Sequence, residues 1–246
     1  MTKRRILKIT GDDARDFLQG MITNDISRLK DGLVYAALLT PQGKYIADFF
    51  LMAVPDGVLL DVADDLGDAL AQRLTMYKLR ADVTIASTPL HVHRGTGDTP
   101  PDGNADPRDP AMGWRAYRDT PQTDDTTDWT ALRVAHLIPE TGVELTPDTF
   151  ILEAGFERLS GVDFRKGCYV GQEVTARMKH KTELRKGLAR VQISGAAEPG
   201  TDIIADGKPA GTLLSCTATA GIAYLRFDRA QGAMTAGTAT VTRNDD

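Results

Sequence analysis

Cysteine is scarce in this 246-residue chain, with only Cys168 and Cys216 present. Two thiols so far apart give neither a disulfide framework nor a paired-cysteine metal signature. Reduced thiols suit a cytosol-like compartment, so a cytoplasmic protein is expected. Long apolar runs are missing as well. None approaches the ~18 residues of a membrane span, and the basic start Met1-Thr-Lys-Arg-Arg lacks the apolar stretch of a signal peptide. No Gly-x-Gly-x-x-Gly, phosphate-loop or Gly-x-Ser-x-Gly pattern occurs, which removes support for nucleotide hydrolysis and serine-esterase chemistry. The net charge of −5 argues against an overall nucleic-acid footprint and against direct tRNA binding.

What remains is an ordinary soluble composition, 41% hydrophobic and 26% charged, unevenly spread. Residues 96–128 hold eight Asp against three Arg, with five Pro and three Gly. That mixture builds no core of its own and predicts a loop-rich excursion. Residues 163–190 hold eight Lys or Arg against Asp163, Glu173 and Glu183. This stretch reads either as a solvated face or as a local anion site on an acidic protein.

Periodicity supplies the elements. A strand is expected over residues 6–9, then Thr10-Gly-Asp-Asp13 as a helix start ahead of the Ala14, Phe17, Leu18, Met21, Ile22 stripe. Residues 34–40 and 44–54 flank Pro41-Gln42-Gly43 as a hairpin. Asp64 and Asp65 open a second helix with Leu66, Leu70, Leu74 and Tyr77 on one side. Residues 152–159 look helical, and residues 129–137 are apolar but of undecided type. From about residue 187 short β-rich runs alternate with Gly, Pro and Asp turns, the pattern of a small barrel or sandwich. The expected class is α+β, with domains 1–186 and 187–246.

Chemistry concentrates at Lys166-Gly-Cys-Tyr-Val-Gly-Gln-Glu173. Cationic neighbours favour a thiolate at Cys168. Gly167 and Gly171 let backbone N–H groups approach an anion, and Gln172 and Glu173 add an amide and a carboxylate. The opposing reading is a space-filling buried thiol. Cys216 reads as a core strand residue. His91-x-His93 is a weak zinc signal with no third ligand, and both are expected at the surface.

This motif resembles the signature of the YgfZ family, folate-binding relatives of the aminomethyltransferase (T-protein) of the glycine cleavage system. Phe17-Leu-Gln-Gly-Met-Ile-Thr-Asn-Asp25, Leu39-Thr-Pro-Gln-Gly-Lys44, Tyr77-Lys-Leu-Arg-Ala-Asp-Val83, Ile138-Pro-Glu-Thr-Gly142 and Ala176-Arg177 fit the same family. The resemblance implies a T-protein-like N-terminal part, with antiparallel sheets and flanking helices around a central channel, followed by a C-terminal β-barrel. It implies a tetrahydrofolate-binding protein that supports iron–sulfur cluster assembly or repair in client enzymes, including radical enzymes that thiolate tRNA. Cys168 would be the reactive residue, assisted by Lys166. The folate contacts would fall on Asn24, Lys44, Trp129, Arg133, Gly167, Tyr169, Gly171, Gln172, Glu173 and Arg177. Ala135 stands where T-proteins carry a pterin-contacting glutamate, which argues against glycine-cleavage chemistry. The rival readings are a folate-dependent one-carbon transferase with Asp68 as acid/base, and a binding module using the basic stretch for RNA or protein.

Overall fold

The computed structural model describes residues 3–180 and 183–244. The chain divides into two compact units, Met1–Thr127 with Phe156–Ala176, and Asp128–Gly155 with Arg177–Asp246. Among the described residues no helix is long and apolar enough to cross a membrane.

The first unit runs β1 (Arg4–Thr10), α1 (Ala14–Met21), β2 (Val34–Leu39), β3 (Tyr45–Val54), β4 (Gly57–Ala63), α2 (Asp64–Tyr77), β5 (Thr84–Ser87), β6 (His91–Gly95), β7 (Asn104–Ala105) and β8 (Trp114–Arg118). An antiparallel five-stranded sheet has the order β2-β3-β4-β1-β5, and a three-stranded sheet the order β6-β8-β7. Ala14, Leu18 and Met21 of α1, with Leu70 and Leu74 of α2, bury against Leu7, Ile9, Phe49, Leu51 and Leu60 of the larger sheet. The apolar stripes read from the sequence are the faces that pack, except that Tyr77 at the end of α2 is exposed. The helix start differs. Thr10 ends β1, and Asp13 precedes α1 without a side-chain cap, because its carboxylate accepts from the Asp82 amide instead (2.8 Å).

The outer edge of β2 is occupied. Thr23 N–H donates to the Ala37 carbonyl (3.0 Å), and the Ala37 amide donates to Thr23 Oγ1 (2.9 Å). A threonine side chain thus supplies the acceptor that a neighbouring strand would give.

Residues 96–128 are more ordered than their composition suggests. β8 lies there and pairs with β6 in full register from His91↔Arg118 to Gly95↔Trp114. Residues 152–159 form consecutive turns rather than the expected helix. His93 is buried rather than at the surface, with Nε2 2.6 Å from the Thr120 carbonyl.

In the second unit α3 (Trp129–Ala135) accompanies the residues of α4 (Gln172–His180) beyond Ala176 and six strands, β9 (Lys186–Ser194), β10 (Asp202–Ala205), β11 (Lys208–Cys216), β12 (Ala220–Arg226), β13 (Ala233–Ala236) and β14 (Ala239–Arg243). They close a barrel in the order β10-β11-β12-β9-β14-β13, with β13 pairing back to β10. Val191, Ile203, Leu213, Leu225 and Val241 fill its interior, and β9 alternates inward and outward along its length. Antiparallel sheets with helices and a C-terminal barrel are the architecture expected from the sequence.

Two glycines dock the β2–β3 hairpin against the cysteine segment. Gly171 has φ +84°, and a Cβ there would lie 2.6 Å from the Thr40 carbonyl oxygen; a Cβ on Gly43 (φ +76°) would lie 2.8 Å from Val174 Cβ. Gly171→Ala is expected to destabilise the protein by about 2 kcal/mol or more, from left-handed strain plus overlap with main chain. Urea unfolding measures it, and a midpoint equal to wild type would refute the close approach.

Candidate functional site

The segment after residue 165 alternates inward and outward. Lys166 is buried, Gly167 and Cys168 are exposed, Tyr169 is buried, and Gly171 packs on the hairpin. Lys166 Nζ donates to the carbonyls of Gln19 and Ile22, both at 2.6 Å. These lie in and just beyond the last turn of α1, whose terminal carbonyls have no helical partners. A cation there also complements the negative end of the helix dipole. The ammonium sits 4.9 Å from the Tyr169 ring centroid, and the Val170 amide donates to the Gly20 carbonyl (3.3 Å). The backbone is therefore pinned on both sides of Cys168 while the thiol stays exposed. The flanking glycines serve different ends: Gly171 lets main chain touch main chain, whereas nothing lies within 4 Å of a Cβ added at Gly167. The sealed, space-filling cysteine is excluded.

The other expected residues separate into committed and available groups. Asn24 donates to the carbonyls of Tyr35 (2.7 Å) and Ser160 (2.6 Å) and accepts from the Asp25 amide (2.9 Å). Arg133 is buried and pairs with Glu140 (2.8 Å) and Glu144 (3.2 Å), donating further to the Ile138 carbonyl and Ser215 Oγ. It keys α3 to barrel strand β11 within the second unit. Trp129 opens α3 and is buried. Lys44 closes the hairpin through its backbone, donating to Thr40 Oγ1 (3.1 Å). Gln172 is half-buried, and Glu173 and Arg177 are exposed along α4. Asp68 is exposed on α2 and tied to Arg5, a poor setting for proton transfer, which needs a desolvated carboxyl.

A second constellation, in the first unit, was not visible as a site in the sequence. Asp61 is fully buried and accepts from Arg4 (2.6 Å), Arg115 (3.1 Å) and Tyr117 (3.2 Å). Asp106 takes two bonds from Arg108 (3.0 and 2.9 Å) and one from Arg115 (3.2 Å). Burial alone would raise the Asp106 carboxyl, but Arg108 and Arg115 bring it below the ordinary carboxylate range. The Arg115 guanidinium lies 3.8 Å from the Phe50 ring centroid and that of Arg108 4.8 Å. Tyr35 and Tyr45 both donate to buried Asp48 (3.0 and 2.6 Å). Among the described residues no group of three or more His, Cys, Asp or Glu is arranged to hold a metal ion.

Burial pushes the Lys166 amine down from 10.5 to about 8, against the pull of Asp25 and Asp163. Below that value the amine is protonated in both folded and unfolded chains. Between pH 8 and 10.5 the folded chain releases the proton that the unfolded chain keeps, so this group's contribution to stability rises with pH. A neutral amine still offers two N–H donors, one for each carbonyl. The unfolding free energy of wild type relative to Lys166→Met should grow across that window. Parallel pH profiles in urea titrations would contradict it.

Comparison with known proteins follows the two units. The family model for the CAF17 C-terminal beta-barrel domain matches residues 185–245. The aminomethyltransferase T of the glycine cleavage system from Bartonella henselae superposes with a TM-score of 0.76 over 98% of this chain and 83% of its own, at 12% identity, which shows a shared fold. The iron-sulfur cluster assembly factor IBA57 of Mus musculus is 31% identical over 93% of this chain and 77% of its own length. The IBA57 homolog of Phaeosphaeria nodorum is 30% identical over 92% and 69%. Both relatives are named as mitochondrial proteins, which overturns the cytoplasmic placement expected from reduced thiols. Thiol scarcity marks a reducing compartment but does not say which one. Likeness at this level across both units shows that the chain belongs to the IBA57 family.

Proposed function

We propose that this protein is an iron–sulfur cluster assembly or repair factor in which Cys168 lends its thiolate to a cluster in transit, with tetrahydrofolate as its small-molecule ligand. The observation that carries the reading is the posture of Cys168, an exposed sulfur on a backbone held at Lys166, Val170 and Gly171. A pinned loop presents its sulfur without ordering cost at the moment of capture. A thiolate supplies one of the several ligands that a cluster takes. With no ligand group gathered among the described residues, the others come from a partner protein, so the cluster is cargo. The partners on this reading are other assembly proteins and client enzymes, tRNA-thiolating radical enzymes among them. The IBA57 relatives carry this role in their names, and the cysteine motif agrees with the YgfZ-type signature.

The residues fit a folate in their chemistry. In the second unit Arg177 can meet the glutamate carboxylates and Trp129 offers a flat partner. Arg133 and Asn24 are spent on the protein and take no part.

In a strain lacking the gene, wild-type protein should restore iron–sulfur enzyme activity, and Cys168→Ser should lower it by about tenfold or more, the cost of a lost ligand interaction. An unchanged urea midpoint would separate this from unfolding, and full restoration by Cys168→Ser would end the thiolate reading. Folate is tested apart from it. Trp114 and Trp129 are the two tryptophans, so tetrahydrofolate should quench emission in wild type but not in Trp129→Phe. Equal quenching in both, or none in wild type, would remove the folate assignment and leave the cysteine reading standing.

A further inference from the structure

The first unit contains a cavity of about 280 Å³ beside the start of β1, strand β6 and the segment after β8. Its wall carries four cationic side chains, Lys3, Arg4, Arg94 and Arg115, against the single carboxylate of Asp125, and Lys3 also pairs with Asp64 (3.4 Å) outside it. The aspartates that hold two of these cations, Asp61 and Asp106, are buried and do not line it.

The guanidinium groups of Arg4 and Arg115 have donors to spare. Arg115, 5% exposed, gives Nη1 to Asp61 and Nε to Asp106, and its Nη2 meets no protein acceptor among the described residues. Arg4 gives Nε and Nη2 to Asp61, and its Nη1 is likewise without an acceptor there. No sealed side-chain nitrogen or oxygen among the described residues lacks a partner, so both nitrogens face solvent, in residues that line the cavity. Arg94 is held at its backbone, where Gln122 accepts from its amide (3.0 Å) and donates to its carbonyl (2.8 Å), and its Nε lies 3.4 Å from Asp125.

Guanidinium forks match the oxygens of phosphate and carry full charge at any physiological pH. The volume lies at the lower end of small-molecule pockets, about 300 Å³, too small to enclose a nucleotide. We propose that this cavity is an oxyanion site that takes a phosphate group, free or at the end of a larger molecule, on the spare nitrogens of Arg4 and Arg115, with Arg94 and Lys3 completing the cationic wall. The site lies apart from the cysteine segment in sequence and does not depend on the cluster reading.

The test is calorimetric and ³¹P NMR titration of the full chain with inorganic phosphate and, separately, glycerol 3-phosphate, against sodium chloride of matched ionic strength. Saturable millimolar or tighter phosphate binding is expected, weakened about tenfold in Arg94→Gln, the loss of one charge-assisted contact. Lys3 has an 84% exposed side chain, so Lys3→Gln keeps the fold and should weaken binding severalfold even if Arg94→Gln does not fold. Tighter binding of glycerol 3-phosphate would assign the group to a larger molecule, and equal binding to the free ion. Heat no greater than the chloride control, or affinities unchanged in both variants, would overturn the site.

Discussion

One buried ammonium governs where the exposed sulfur can be. Lys166 reaches across 147 positions of sequence to the carbonyl of Gln19 at the end of α1. An apolar residue there would leave those carbonyls without their donor, and the loop would lose its tether. Because α1 is itself held by Leu18 and Met21 in the main core, the Lys166 side chain refers the position of Cys168 to the larger sheet, together with the Val170 amide and the Gly171 contact on the hairpin. The thiol needs no burial of its own to be well placed. That arrangement suits a group that must be both accessible and fixed.

The charged cluster around Phe50 works by balance. Arg4, Arg108 and Arg115 face Asp48, Asp61 and Asp106, with Tyr35, Tyr45 and Tyr117 completing the carboxylates' acceptor sites. Removing water from such groups is costly unless each is met, and deleting one partner strands another. The sequence carries the same six charges whether they are paired inside or solvated outside. Their pairing depends on β8 lying beside β6, which no local pattern specifies.

Local periodicity made much of the architecture legible. The stripes on α1 and α2, the Pro41-Gln42-Gly43 hairpin and the alternating strands beyond residue 187 depend on neighbours within a few positions, and they appear where expected. The Lys166–Glu173 motif gave no sign of the direction of its lysine, which turns inward to α1. The failures share a cause. Residues 96–128 looked loop-rich because Asp, Pro and Gly dominate, yet Asp106, Arg108 and Arg115 find partners far away in sequence or across a turn. Arg115 and Tyr117 alternate on one face of β8, and that two-residue period was the available clue. His93 was misjudged likewise, since a lone imidazole gives no sign of the carbonyl awaiting it.

The side chain of Thr23, standing in for a strand beside β2, bears on how this protein can meet others. Open sheet margins invite strand addition and, with it, uncontrolled polymerisation. Here one margin of the five-stranded sheet is blocked by Thr23, the opposite one is a four-residue, largely exposed β5, and the barrel has no margin at all. At these margins association then rests on side chains rather than on shared main-chain ladders, which keeps it reversible.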